Sequence, residues 1–451
     1  ALERKKIIPL TKNNKNLRNV KFSPDGSKVA YVREDNNLYF FDLIKNRERK
    51  LSTSGSKTLL NGHFGWLYEE ELTGYDGYRW SPDGESIAYW EEDNSMVAEY
   101  SMIEDEGLYP SIRKIRYPKA GETNPSLRIG ITRVKGYGRK WIEMGYVDND
   151  YLPWMEWVND EKVCFLKLDR RQKNWNMFIA DENSGKSLRV LSESDEEGWL
   201  DNHRQIRFLK DGKIVWISEK SGFMHIWIAK HTGSHTWPIT EGNFEVSKII
   251  HIDEIREIIY FMANKESVFE NRFYSIKYDG TDMKLLTVEE GNHNIRVTGS
   301  KLYFIDTYSS TKTPKVIALK KMESGELVRI IGKTKIDQFI NYDWSFPKLI
   351  SFNSIDKTVS LDGYMILPPN YDSDQKYPVI VNGYGMPGTQ IVWNSWASSF
   401  NQFLVQQGYI VFSMDARGMS GRGEAFKNLS YGDMSKYLAK DHMAGIKYLI
   451  D

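Results

Sequence analysis

What most constrains this chain is a phrase it repeats: a turn rich in Pro, Asp and Gly, followed by short segments of alternating apolar residues. "FSPDGSKVAYVREDNNLYFFD" (22–42) returns as "WSPDGESIAYWEEDNSMVAEY" (80–100) and more loosely as "FLKDGKIVWISEKSGFMHIWIAK" (208–230). Asp-Gly between alternating segments marks a hairpin, because Gly accepts the positive φ that a tight turn demands. Further units of the kind lie at 157–181, 252–280 and 297–310. Antiparallel units recurring at a spacing of roughly 40–60 residues fit the blades of a β-propeller.

The rhythm breaks after "FINYDWSFPKLISF" (339–352). Strand and helix patterns then alternate. "YPVIV" (377–381) reads as a continuous apolar strand, "FNQFLVQQGYIVFSMDARG" (400–418) as a helix followed by a buried strand, and 433–450 as a helix. In that last helix Tyr437, Leu438, Met443, Ile446, Leu449 and Ile450 fall at mostly helical spacing. Such alternation implies an α/β domain with a largely parallel sheet. The fold class expected is therefore mainly β: a β-propeller over 1–345, followed by the start of an α/β domain over 346–451. The second domain reads as unfinished, since it stops in a helix after too few strands to bury both faces.

Sixty-one basic and 61 acidic residues balance to a formal net charge of zero. With no basic run to meet phosphates, no nucleic-acid partner is expected. No stretch approaches the roughly 20 apolar residues of a membrane span, and the opening "ALERKKIIPLTKNNKN" lacks the apolar core of a signal peptide. The chain itself thus reads as soluble. Cys164 is the sole cysteine, which excludes an internal disulfide and a thiolate metal cluster, and inside "KVCFLKL" it is expected as a buried strand residue. His231 and His235 share a Gly-Ser loop without a third ligand, so no metal and no cofactor is expected. His63, His203, His225, His251, His293 and His442 are scattered and read as structural. "GYGMPG" (383–388) satisfies G-x-G-x-x-G, but no helix opens directly after it to receive a pyrophosphate. A tight, flexible turn beneath a catalytic centre, which lets the backbone come close to reacting atoms, explains those glycines better. Ser420, in "GMSGR", lacks the second glycine of a nucleophile elbow, and G-x-S-x-G occurs nowhere in the 451 residues.

"GWLYEEELTGY" (65–75) sets Glu69, Glu70 and Glu71 side by side among aromatic residues. Charge runs are usually solvated faces. Here, however, the helix-favouring "LYEEEL" interrupts a β-rich repeat, so a short helical insertion from a blade could aim consecutive carboxylates into a cavity. Like charges held together and desolvated call for a cation, and that cation could be a substrate.

Taken in order, "GWLYEEE", "WSPDG", "YPKAG" with "NP" (117–121 and 124–125), "DRRQ" (169–172), "YPVIVNGYGMPGTQ" (377–390) and "DARGMSGRGEAF" (415–426) resemble the dipeptidyl peptidase IV family of prolyl-oligopeptidase-type serine peptidases. The resemblance spans nearly the whole chain. It implies an eight-bladed propeller, incomplete here, covering an α/β-hydrolase domain, with release of X-Pro or X-Ala dipeptides from peptides that have a free N-terminus. It assigns Glu70 and Glu71 to the substrate's α-ammonium and Tyr384 to the oxyanion hole. It also implies a homodimer. Where the family more often has Gly-Gly after the tyrosine, this chain has Gly385-Met386.

On this resemblance the Ser, Asp and His of the triad lie beyond Asp451, and Ala1 enters the propeller after its first blade or blades. The 451 residues by themselves are then expected to be inactive, and an arginine that assists substrate binding in the family has no assignable counterpart. The alternative reading is a non-catalytic propeller protein that binds peptides or partners. An oligopeptidase is disfavoured because it need not hold a terminal amine. The compartment expected is the periplasm or cell envelope of a bacterium, with extracellular and cytoplasmic locations left open.

Overall fold

The computed structural model describes residues 9–10, 16–136, 138–145, 149–200, 205–230, 233–336, 342–385 and 387–451. Ala1, His203, His231 and Met386 lie outside the described residues. The chain divides into two compact units, Ala1–Ser194 and Asp195–Asp451.

The repeated phrase is one turn built several times. In the first copy the Ser23 hydroxyl donates to Asp25 at 2.5 Å, the same carboxylate accepts the Ser27 N–H, and Gly26 takes a φ of 70°. In the second copy Ser81 donates to Asp83 at 2.6 Å, Asp83 accepts the Glu85 N–H, and Gly84 again sits at 70°. Asp211 and Gly212 repeat the pattern with φ 85°. Each turn closes a hairpin, and hairpins joined in succession make a meander.

In the first unit one meander runs through Arg18–Phe22, Lys28–Val32, Leu38–Asp42 and Arg47–Lys50 as a four-stranded sheet. Another takes Tyr151–Trp157, Lys162–Leu168, Asn174–Asp181 and Ser187–Ser194. "DRRQ" is the turn in it, where Gln172 at φ 59° donates back to Asp169. Between them lies a five-stranded sheet centred on Ser86–Asp93, with an exposed hairpin, Glu99–Glu104 and Ser111–Arg116, running off it. Cys164 is buried in its strand, as its neighbours implied.

The second unit contains four-stranded meanders over 207–238, 246–285 and 292–333. A further sheet has the order Lys348–Asn353, Ser360–Ile366, Ile410–Asp415, Val379–Val381. The expectation of a largely parallel sheet needs correction. Only Val379–Val381 pairs parallel to Ile410–Asp415; Lys348–Asn353 and Ser360–Ile366 form an antiparallel hairpin, and Ser360–Ile366 pairs antiparallel with Ile410–Asp415 across a long connection. "YPVIV" forms only the short strand Val379–Val381 at the sheet edge, each residue 37–38 % exposed, because a neighbouring strand covers one flank alone.

The helices expected near 400 and 433–450 are Ser399–Gln406 and Ser435–Ile450. The buried face of the second differs from the apolar spacing: Asp441, Ala444 and Gly445 are buried, whereas Met443 and Ile450 are exposed. Two contacts explain the shift. Arg417 grips the Asp441 carboxylate with bonds of 2.6–3.1 Å, and a Cβ on Gly445 would approach Phe412 to 2.8 Å. Polar pairing and close packing thus select a face that hydropathy alone does not mark.

Candidate functional site

The acidic run sits on a loop extruded from a single strand line. Leu59–Asn61 and Tyr78–Trp80 both pair with Ser86–Asp93, facing Glu91–Asp93 and Ile87–Tyr89 respectively. The residue between those partners is Trp90. Its carbonyl accepts the Gly62 N–H and its N–H donates to the Gly77 carbonyl, so residues 62–77 leave and rejoin the sheet at one point. The neck is narrow enough that a Cβ on Gly77 would lie 2.4 Å from the Gly62 carbonyl carbon, and Gly62 itself has φ 75°. Glycine at both positions is what permits the closure.

Within this loop Trp66–Glu70 forms the expected short helix, with Gly65 as N-cap and Glu71 as C-cap. Its aromatic residues root it. Tyr68, 2 % exposed, stacks on Phe64 at 5.1 Å and its phenol oxygen accepts the Leu152 N–H at 2.9 Å. Trp66 packs on Tyr117 of "YPKAG" with ring centroids 4.2 Å apart. Asn124 of the following "NP" donates to Tyr151 at 3.1 Å, and Arg170 of "DRRQ" reaches the Glu122 carbonyl. "YPKAG" thus packs directly on the helix, and "NP" and "DRRQ" brace the segments next to it.

Three carboxylates end up in different surroundings. Glu69 is half-buried, and desolvation raises its pKa while the Arg18 guanidinium opposes the rise. Arg18 also donates to His63 Nδ1 at 3.2 Å, whose Nε2 faces Asn36 at 2.9 Å. Burial and that same cation push the His63 pKa down to about 4. Glu70 and Glu71 are exposed, and no described residue hydrogen-bonds or ion-pairs with either carboxylate. Both close the helix, where its partial charge is negative, so the helix adds to their mutual repulsion. This part of the surface favours a cation.

A carboxylate the sequence reading passed over lies at the other end of the helix. Glu92 is fully buried and accepts the Gly65 N–H at 3.0 and 3.1 Å and the Asn94 amide at 2.6 Å. Its signal was a doubled Glu91-Glu92 in a strand whose alternation calls for one inward residue.

In the second unit Tyr384 is 45 % exposed between two glycines that press on the helix Ser435–Ile450. A Cβ on Gly385 would come within 2.3 Å of Leu438 and one on Gly383 within 2.9 Å of His442 Nε2. The close approach seen at these two glycines is to a packed helix rather than to reacting atoms, and the tyrosine ring between them is left partly in the open. Asn382 is tied down on either side: its N–H donates to Phe412, and its carbonyl accepts from Ser413. "DARG" contributes Asp415, which accepts the Ile391 and Val392 N–H groups, and Arg417, which joins Asp441 and Asp356. Ser420 lies in a loop and its N–H bonds to Thr389.

Three further histidines are engaged by neighbouring side chains or carbonyls. His225 is held by Thr240 and the Gly242 carbonyl, His293 by Asp306 and the Glu289 carbonyl, and His251 stacks on Tyr260. No cluster of three potential metal ligands occurs among the described residues.

Blade-type sheets continued by a mixed sheet with flanking helices define a class, the β-propeller proteins that carry the start of an α/β-hydrolase domain. A family model described as the dipeptidyl peptidase IV (DPP IV) N-terminal region matches residues 1–315, and one described as the prolyl oligopeptidase family matches 396–451. The chain belongs to the dipeptidyl peptidase IV family. Among its relatives, a probable dipeptidyl peptidase 4 of Aspergillus flavus is 26 % identical over 98 % of this chain and 60 % of its own length. The dipeptidyl aminopeptidase B of Saccharomyces cerevisiae is 27 % identical over 94 % of this chain and 57 % of its own. The crystal structure of Porphyromonas gingivalis dipeptidyl peptidase 4 superposes with a TM-score of 0.92 at 26 % identity, covering 98 % of this chain and 63 % of that one. This chain therefore spans about three fifths of the length of such relatives.

Proposed function

We propose that the full-length polypeptide carrying this chain is a serine-type dipeptidyl peptidase, which releases X-Pro or X-Ala dipeptides from peptides with a free N-terminus. Glu70 and Glu71 receive the substrate's α-ammonium. The observation that carries this reading is a pair of adjacent, exposed carboxylates, without a cation partner among the described residues, on a helix rooted by buried aromatic residues. Two carboxylates neutralise an ammonium group and accept its protons, and a fixed anchor sets how far a peptide extends before the scissile bond. Family membership and the names of the relatives support the same chemistry. Tyr384, partly open on a loop clamped by Gly383 and Gly385, suits a donor to a developing oxyanion. Homodimerisation, implied by the family resemblance, is checked by sedimentation of the full-length polypeptide.

The test compares Gly-Pro and N-acetyl-Gly-Pro chromogenic substrates with the full-length polypeptide. Cleavage of the free-amine substrate alone is the expected result. Equal cleavage of both overturns the amine anchor, and no cleavage of either by folded protein favours a peptide-binding propeller instead.

A further inference from the structure

Glu92 is a charge the strand does not need. Its neighbour Glu91 points to the opposite face and meets Arg128 at 2.5 Å and Arg139 at 3.5 Å. Glu92 has no cation partner among the described residues, and its bonds come from neutral donors, the Gly65 N–H and the Asn94 amide. An apolar side chain would fill such a place at less cost, because a buried charge without a counter-ion is unfavourable. What the carboxylate does provide is an acceptor at the start of the acidic helix. The fit is close: a Cβ on Gly65 would stand 2.6 Å from Glu92 Oε1.

We propose that Glu92 is a positioning residue for the amine-binding carboxylates: it holds Gly65 at the helix start, so setting the direction of Glu70 and Glu71 at the helix end, and its negative charge strengthens their hold on an ammonium group. The inference rests on the amine-anchor reading given above.

The groups around Glu92 determine how its charge responds to pH. From the helix, Glu69 and the Tyr68 phenol act on it or feel it; from its own strand end comes the Asn94 amide. The residues paired with it on either side, Leu60 and Leu127, carry no charge, and Arg128 and Arg139 engage Glu91. Desolvation first, then Glu69, raise the Glu92 carboxyl to about 7, against the lowering effect of its Asn94 and Gly65 bonds. An arriving ammonium favours the ionised form, so binding is linked to proton loss and weakens as pH falls through neutrality. The ligand's own α-amine loses its proton above about pH 8, which weakens binding again on the alkaline side.

The experiment is calorimetric binding of alanyl-pyrrolidide to the full-length polypeptide, with N-acetyl-alanyl-pyrrolidide as control. Wild type is expected to bind about five- to tenfold more weakly at pH 5.5 than at pH 7.5, the range for one added charge near a partly solvated site. Glu92→Gln should reduce that ratio to less than about twofold, since its amide does not titrate. Asn94→Ala removes a bond that favours the charged form, and should move the midpoint of the fall to higher pH. A flat wild-type profile, a Glu92→Gln profile that follows a sloping wild type, or an Asn94→Ala midpoint that stays or moves down each overturns the role of Glu92. Equal binding of the acetylated control instead removes the amine anchor itself, so the two failures are distinguishable.

Discussion

Replacing Tyr68 by Phe removes a single oxygen and tests whether the acidic helix is rooted as described. The ring remains against Phe64, so no cavity larger than the hydroxyl opens, but the Leu152 N–H loses its acceptor. Leu152 is 1 % exposed, so water has little access to replace the bond. Leaving a buried donor unsatisfied costs about 1–3 kcal/mol. Expressed as local opening at 25 °C, that is a rise of about 5- to 150-fold in the exchange rate of protected amides. The assay is hydrogen exchange followed by mass spectrometry, comparing peptides covering 64–72 and 150–157 in wild type and Tyr68→Phe. On the proposed function, KM for a free-amine substrate rises with the exchange rate, because Glu70 and Glu71 move with the helix. Acceleration of less than about twofold in both peptides would refute the claim that this hydrogen bond roots the helix.

Three other outcomes are expected. Tyr384→Phe in the full-length polypeptide should lower kcat by roughly 100-fold or more with a smaller effect on KM, as for loss of an oxyanion donor; an effect confined to KM contradicts that role. Gly385→Ala drives a Cβ into Leu438, and overpacking of this kind costs about 1–3 kcal/mol. Urea unfolding should register that loss, and adding Leu438→Ala should recover part of it; no recovery would show that the clash is not the cause. His63 is held neutral, so the unfolded chain binds a proton there more readily than the folded one between pH 6.5 and about 4. Stability should therefore fall as pH drops through that window, by up to about 3 kcal/mol from this group. Denaturation midpoints of His63→Gln should fall less steeply than those of wild type; parallel slopes would exclude His63 as the source.

Much of the fold was legible because its signals are local. Ser-Pro-Asp-Gly turns carry their own geometry, with an Asp side chain capping the turn and a Gly at positive φ, so "FSPDG" and "WSPDG" had to form hairpins. The short helix in "GWLYEEE" was likewise readable from helix formers that break a strand rhythm. "YPVIV" and the last helix were less legible, since hydropathy states that a residue can be buried, not whether a neighbour arrives to bury it. Within these 451 residues the first is paired on one flank and stays partly exposed, and in the second the buried face was chosen by the Arg417–Asp441 pair and the Phe412–Gly445 approach.

The candidate site divides along the same line. The sequence alone determined that three carboxylates lie together, that aromatic residues flank them, and that a tyrosine stands between two glycines at 383–385. Those are facts of adjacency, and adjacency survives in any fold. Tertiary structure decided that Gly62 and Gly77 close a neck at Trp90, that Tyr68 finds Leu152, and that Glu92 is buried under the helix start. Each of these joins residues distant in the chain, and the burial of a carboxylate depends on what the fold lays over it, which no neighbouring letter records.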